Sequence, residues 1–146
     1  MAEIRDVDIL LAEDADTDAE MIMRALKKMN APSSFVRVRD GVEALEFIFR
    51  QGSFVSRSLS QPKLVMLDLK MPRLGGLDVL RRIKTEDATR AIPVVMLTSS
   101  AEERDIVASY QFGANSYLVK PVNFASFTEM VSQAGWYWSA INRVPS

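Results

Sequence analysis

The sequence predicts a doubly wound α/β domain: a parallel five-stranded sheet in the order 2-1-3-4-5 with helices on both faces. Three observations carry that prediction. Short unbroken apolar runs such as Leu64-Val65-Met66-Leu67 have the character of strands buried on both faces. Segments of helical apolar spacing alternate with them, and a parallel crossover needs a connection of about that length. The runs end in polar residues, and in such sheets ligands sit in the crevice beyond the carboxyl ends of the strands.

The first strand spans Val7 to Ala12. A helix follows with Met21, Ile22, Ala25, Leu26 and Met29 at apolar spacing, ending near Asn30 before Ala31-Pro32. Phe35, Val36 and Val38 make a short second strand. Asp40-Gly41 then opens a helix that turns Val42, Leu45, Phe47, Ile48 and Phe49 inward. The Ser- and Gln-rich stretch from Gln51 to Pro62 is expected to be a surface loop. Lys63 to Leu67 is the third strand, and Gly76 to Glu86 carries Leu77, Val79, Leu80 and Ile83 as its helix. Ile92 to Thr98 is the fourth strand, with Pro93 near its start, where a missing N–H is tolerated. The fourth helix runs from Ala101 to Phe112, the fifth strand from Tyr117 to Val119, and a long last helix from about residue 123 to Arg143. One domain, residues 7–143, accounts for all of this, and its strand order is the flavodoxin-like one. On a helical wheel Phe124, Val131, Ala134, Trp138 and Ile141 share one face of the last helix. Met130 and Tyr137 stand at its edge, and Trp136 points away.

Composition removes whole classes of chemistry. Eighteen Lys and Arg against 19 Asp and Glu give a net charge of -1, so no general basic field is available to hold nucleic acid. The chain has no Cys, which excludes thiol nucleophiles, thiolate metal sites and disulfides, and it has no His. Ser-His-Asp hydrolysis, His-ligated zinc and a self-contained phosphohistidine relay are thereby excluded. The N-terminus is mixed rather than basic then apolar, and no apolar run approaches membrane-spanning length. The expected setting is the cytoplasm, with no membrane and no nucleic acid as partner.

The strand ends point to the chemistry. The first ends in Glu13-Asp14, the third in Asp68, the fourth in Thr98-Ser99 and the fifth in Lys120-Pro121. Each has an ordinary explanation alone: Asp68 as a turn cap, Asp14 or Asp16 as a helix cap, Lys120 as a solvated charge. In the predicted sheet they converge, placing three carboxylates, a hydroxyl and an ammonium around one crevice. Clustered carboxylates repel one another, so a cation is expected. With oxygen donors only, the expected ion is Mg²⁺, for which Mn²⁺ could substitute. Lys120 and Thr98 would meet a phosphate on the same ion, and Asp68 would be the nucleophile.

With these residues in place, the chain from Val7 to about Ile141 resembles a response-regulator receiver domain of two-component signalling. The resemblance implies that Glu13 and Asp14 bind Mg²⁺, that Asp68 within Leu67-Asp68-Leu69-Lys70-Met71-Pro72 is the phosphoacceptor, and that the backbone carbonyl of Lys70 completes the metal ligands. It implies that Thr98 and Tyr117 are the switch pair and that Lys120 contacts the phosphoryl group, with the Lys120–Pro121 bond expected to be cis. The donor it implies is a phosphohistidine on a partner kinase, since this chain has no His. No effector domain is expected after the last helix, and the output is expected to be a contact. A homodimer through the tail and the face of the fourth helix and fifth strand is expected, with Tyr110, Trp136 and Tyr137 in it. The tail, the Ser-rich insert and the run Ser109-Tyr110 to Asn115-Ser116-Tyr117 are similar to small response regulators paired with cyanobacterial and bacterial phytochromes.

Other classes fit less well. A flavin carrier shares the topology but has no use for the carboxylate cluster. A haloacid-dehalogenase-type phosphatase needs a second Asp two residues after the nucleophile, where this chain has Lys70. A dinucleotide-binding dehydrogenase needs a glycine-rich turn where Ala12-Glu13-Asp14-Ala15-Asp16 stands. A phosphorylation-independent scaffold or dimerisation module is the remaining alternative.

Overall fold

In the computed structural model the buried apolar runs form β1 (Ile9–Ala12), β2 (Phe35–Val38), β3 (Leu64–Leu67), β4 (Val94–Thr98) and β5 (Ser116–Val119). They alternate with α1 (Asp16–Lys27), α2 (Gly41–Ile48), α3 (Gly76–Thr85), α4 (Glu103–Gln111) and α5 (Phe124–Trp136). The structure describes residues 6–28, 34–121 and 123–145, without the side chain of Phe124. All strands are parallel, in the order β2-β1-β3-β4-β5, as the sequence predicts. The expected end of the first helix near Asn30 lies outside the described residues. Among those described, no helix is long and apolar enough to cross a membrane.

Burial follows position in the sheet. The inner strands β1, β3 and β4 are buried along their whole length, whereas the edge strands β2 and β5 are only partly covered. Alternate residues divide between two cores, as the two-residue period of a strand requires. Leu10, Val65, Leu67 and Met96 pack with Phe47, Leu80 and Ile83 from α2 and α3. Ile9, Leu11, Met66 and Leu97 pack with Ile22, Leu26, Phe127 and Val131 from α1 and α5. Fully burying a side chain such as Phe47 contributes roughly 1.5–3 kcal/mol. β1 and β4 start two residues later than their apolar runs, at Ile9 and Val94. β4 begins at Val94 because Pro93 has no N–H to add to the ladder, although its carbonyl still accepts from the Val65 amide at 2.9 Å.

Three expectations need correction. No peptide bond among the described residues is cis, so Lys120–Pro121 has the trans form that even a prolyl bond favours. The α-helix of the tail stops at Trp136 and continues as a π-helical segment, Tyr137–Ile141, with the Asn142 amide reaching the Tyr137 carbonyl at 2.7 Å. The wider turn shifts every later side chain around the axis. Ser139 is therefore buried, its hydroxyl donating to the Gly135 carbonyl at 2.5 Å, while Ile141 is 52% exposed rather than on the core face. Trp136 is half-buried.

The insert between α2 and β3 is more than a surface loop, because it delivers a buried arginine. The Arg57 guanidinium lies 4.3 Å from the centre of the Phe47 ring and donates to the carbonyls of Phe47 at 2.5 Å and Ile48 at 3.2 Å. It also bonds the carbonyls of Ser58 and Ser60 and the side chain of Gln61. Phe47 and Ile48 close α2, so Arg57 puts a cation on that helix's carbonyl end. Arg57→Ala should lower the unfolding free energy by about 2–4 kcal/mol, because buried carbonyls lose their donor. Urea denaturation measures this, and a loss below about 0.5 kcal/mol would show that water replaces the guanidinium without penalty.

Candidate functional site

The sheet register assembles the site. Ala12 pairs with Leu67, so the next residues, Glu13 and Asp68, leave β1 and β3 side by side; the Asp68 amide bonds the Ala12 carbonyl at 3.0 Å. Thr98 pairs with Val119, so Lys120 leaves β5 beside the end of β4, its amide on the Thr98 carbonyl at 2.8 Å. The crevice opens at the switch point between β1 and β3, where the chain changes direction across the sheet.

Carboxylate oxygens of Glu13, Asp14 and Asp68 lie within 4.8 Å of one another. Glu13 is buried and Asp14 exposed. Burial first and the neighbouring Asp68 second raise the Glu13 carboxyl to about 7, against the opposing pull of the Lys120 ammonium. Lys120 is raised too: burial disfavours its charge, but hydrogen bonds to Glu13 and Asp18 and the charge of Asp68 outweigh that cost. Three acids thus face one ammonium in this crevice. Three oxygen donors with surplus negative charge suit a hard divalent cation.

The surrounding loops hold this geometry. From β2, Arg37 donates to the carbonyls of Glu13 at 2.8 Å and Asp14 at 3.2 Å and pairs with Asp16 at 2.9 Å, locking the β1–α1 loop. Arg37 and Arg39 hold the Asp16 carboxyl below the usual carboxylate range. Beyond Asp68, a Cβ at Gly76 would collide with the Asp68 carbonyl, so α3 starts against the acid's own backbone only because glycine stands there. Arg73, at a φ of 63°, ties the same loop to Asp40 at the start of α2 at 2.8 Å. Lys70 lies in this loop with its side chain exposed.

Thr98 is buried, and its hydroxyl accepts the Ser100 amide at 3.3 Å. The Tyr117 ring packs on the core while its hydroxyl donates to the Ser100 carbonyl at 2.8 Å, so one short loop links the two side chains. Burial raises the Tyr117 phenol, and the Asp105, Glu102 and Asp68 charges add to that. The structure thus brings Glu13, Asp14, Asp68 and Lys120 into one crevice, with Thr98 buried at the end of β4 beside the Lys120 backbone. Tyr110 and Tyr137 are about half exposed elsewhere on the surface.

Two residues of this arrangement went unread in the sequence. Asp18 bonds Lys120 at 2.9 Å, yet an acid in the first turn of a helix already has an explanation in the helix dipole. Arg37 sits among the apolar residues of a strand, and a strand arginine carried no signal of which loop it would reach. An arginine inside a partly covered edge strand, one strand away from an acidic loop, is the clue that was available.

This fold and crevice define a signalling receiver, and the chain belongs to the response regulator receiver domain family, whose model matches residues 9–132. It is 39% identical over 138 residues to a probable methanogenesis regulatory protein, FilR2, of Methanothrix harundinacea, covering 94% of this chain and 86% of that protein. It is 34% identical over 138 residues to response regulator Rcp1 of Synechocystis, covering 94% and 92%. The Mn²⁺-bound structure of Rcp1 matches with a TM-score of 0.88 at 33% identity, over 97% of this chain and 100% of that one. The structure of a phosphorylated cyanobacterial phytochrome response regulator, RcpA, matches with a TM-score of 0.88 at 34% identity, over 96% and 99%.

The raised Glu13 carboxyl gives the metal-free protein a signed pH dependence. Its folded value of about 7 lies above the ordinary 4.5, so the folded state binds the proton more tightly and loses stability as pH rises from about 4.5 to about 7. Chelator-treated wild type should therefore lose unfolding free energy across that interval relative to Glu13→Gln, measured by urea denaturation at several pH values. Parallel curves for the two proteins would refute the assignment.

Proposed function

We propose that residues 7–143 form a response regulator that accepts a phosphoryl group on Asp68 from the phosphohistidine of a partner kinase, and that signals through a changed interaction surface in the cytoplasm. The observation that carries this is the convergence of Glu13, Asp14 and Asp68 with the Lys120 ammonium in one crevice of a receiver fold. An Asp68 oxygen attacks phosphorus; the new O–P bond forms as the N–P bond to the histidine breaks, and that nitrogen leaves with the electron pair. Glu13, Asp14, Asp68 and the Lys70 carbonyl would hold Mg²⁺, or Mn²⁺ in its place. When bound, the ion supplies positive charge to the phosphoryl oxygens. Lys120 donates to the same group and hydrolysis later releases it. No His stands among these 146 residues, so the donor histidine lies outside them.

Thr98 and Tyr117 are the proposed switch. A phosphoryl oxygen that draws the Thr98 hydroxyl takes it from the Ser100 amide, and the loop whose carbonyl holds Tyr117 follows. α4 suits a moving element, since Ser109 is the only buried residue among those it contributes. The likeness to RcpA supports a phytochrome-type histidine kinase as the partner. Incubation with Mg²⁺ and acetyl phosphate should give a single phosphate-mass adduct by intact mass spectrometry, absent in Asp68→Ala. Wild type that stays unmodified both there and with its cognate kinase leaves a phosphorylation-independent scaffold as the reading.

The output surface in this proposal is met by a second copy of the chain. Val107 and Tyr110 on α4, Val119 on β5, and Tyr137 and Ile141 in the tail are all exposed apolar side chains, with the half-buried Trp136 beside them in sequence. Tyr110→Ala with Tyr137→Ala should weaken self-association in analytical ultracentrifugation without removing the phosphate adduct. A wild type that sediments as a monomer at every concentration, phosphorylated or not, refutes the dimer.

A further inference from the structure

Lys120 meets more negative charge than one ion pair needs. Its ammonium is 2.5 Å from Glu13 Oε1 and 2.9 Å from Asp18 Oδ2, while Asp68 Oδ2 stands 3.7 Å away. An ammonium has three N–H donors. Two of them serve Glu13 and Asp18 at hydrogen-bond distance, and Asp68 is too far for the third to make a normal hydrogen bond. A phosphoryl group on Asp68 brings oxygens beyond the carboxylate. A gap of this size closes on such an oxygen without the lysine leaving its two partners.

Those partners differ in what else they must do. Glu13 belongs to the carboxylate cluster, so a divalent ion there draws on the acid that holds Lys120. Asp18 lies outside that cluster, on the first turn of α1. The helix that carries it is fixed by the buried Ala19 and Ile22, so the carboxylate is placed by a rigid element. The Lys120 side chain is only 9% exposed, yet four rotatable bonds give it several ways to miss the site.

We propose that Asp18 is a positioning residue, which fixes the Lys120 ammonium so that its remaining N–H meets a phosphoryl group on Asp68, whether or not Glu13 is engaged by a metal ion. This rests on Asp68 being the phosphoryl acceptor. Asp18 touches no reacting atom and acts through Lys120. The competing expectation is that Asp18 restrains the lysine away from the phosphoryl group, which reverses the sign of the effect.

The test compares initial rates of adduct formation, at saturating Mg²⁺ and acetyl phosphate, in wild type, Asp18→Ala, Asp18→Asn, Lys120→Ala and the Asp18→Ala/Lys120→Ala double variant. Asp18→Ala should be slower by about tenfold, within the range that misplacing a reacting group costs. Asp18→Asn keeps an acceptor oxygen and should recover part of the rate. With Lys120 already Ala, losing Asp18 should cost nothing further, a coupling that a merely structural role does not produce. Mg²⁺ affinity by calorimetry should be the same in Asp18→Ala as in wild type. An Asp18→Ala rate equal to or above wild type, or the same loss in both lysine backgrounds, overturns the proposal. If wild type reacts and Asp18→Ala is indifferent, the positioning role alone fails; if wild type never reacts, the acceptor assignment fails with it.

Discussion

The crevice holds like charges close together at the ends of buried strands, and the Lys120 ammonium is the protein's own answer to them. Asp68 and Glu13 are set side by side by the pairing of β1 with β3, a geometry the sheet cannot relax without breaking register. The Glu13 carboxyl is raised to about 7, by its burial first and by the neighbouring Asp68 second. Lys120 reaches across from β5 and bonds Glu13 and Asp18 while facing Asp68. A single cation shared among three acids leaves the site short of positive charge, and that shortage is what makes it receptive to a divalent ion.

The scaffold keeps this imbalance in place by anchoring the loops rather than by burying more charge. Arg37 grips two carbonyls of the β1–α1 loop, Arg73 and Asp40 clasp the β3–α3 loop, and Gly76 lets α3 begin against the Asp68 backbone. By contrast, the β4–α4 side is held by small contacts around Ser100, and α4 is lightly seated. The crevice thus has one half tied down by charged side chains and another held by fewer and smaller contacts. That division follows from where the side chains are buried, since stability differs between regions according to how much each one packs.

Much of this could be read in advance. The inner strands announce themselves as unbroken apolar runs, their parallel pairing follows from alternation with helices, and the residues at their ends are the ones the fold gathers. What escaped the sequence depends on distances that only the assembled fold sets. Asp18 and Arg37 belong to elements whose ordinary chemistry explains them, so their reach across to Lys120 and to the β1–α1 loop had no periodic signature. Arg57 stood in a stretch with the composition of a loop, and its burial against Phe47 is a tertiary event. The tail misled for another reason: a wheel drawn at 3.6 residues per turn cannot represent a segment that winds wider.

That wider winding separates two jobs along one continuous rod. Up to Trp136 the helix obeys the sheet it lies on, with Phe127 and Val131 locked into the core. Past it, the same backbone direction continues but the azimuth is reset, so Ser139 takes an inward place and Ile141 an outward one. The residue that faces a neighbour is therefore decided by winding rather than by sequence spacing. An ordinary helical turn over the same residues would present a different edge.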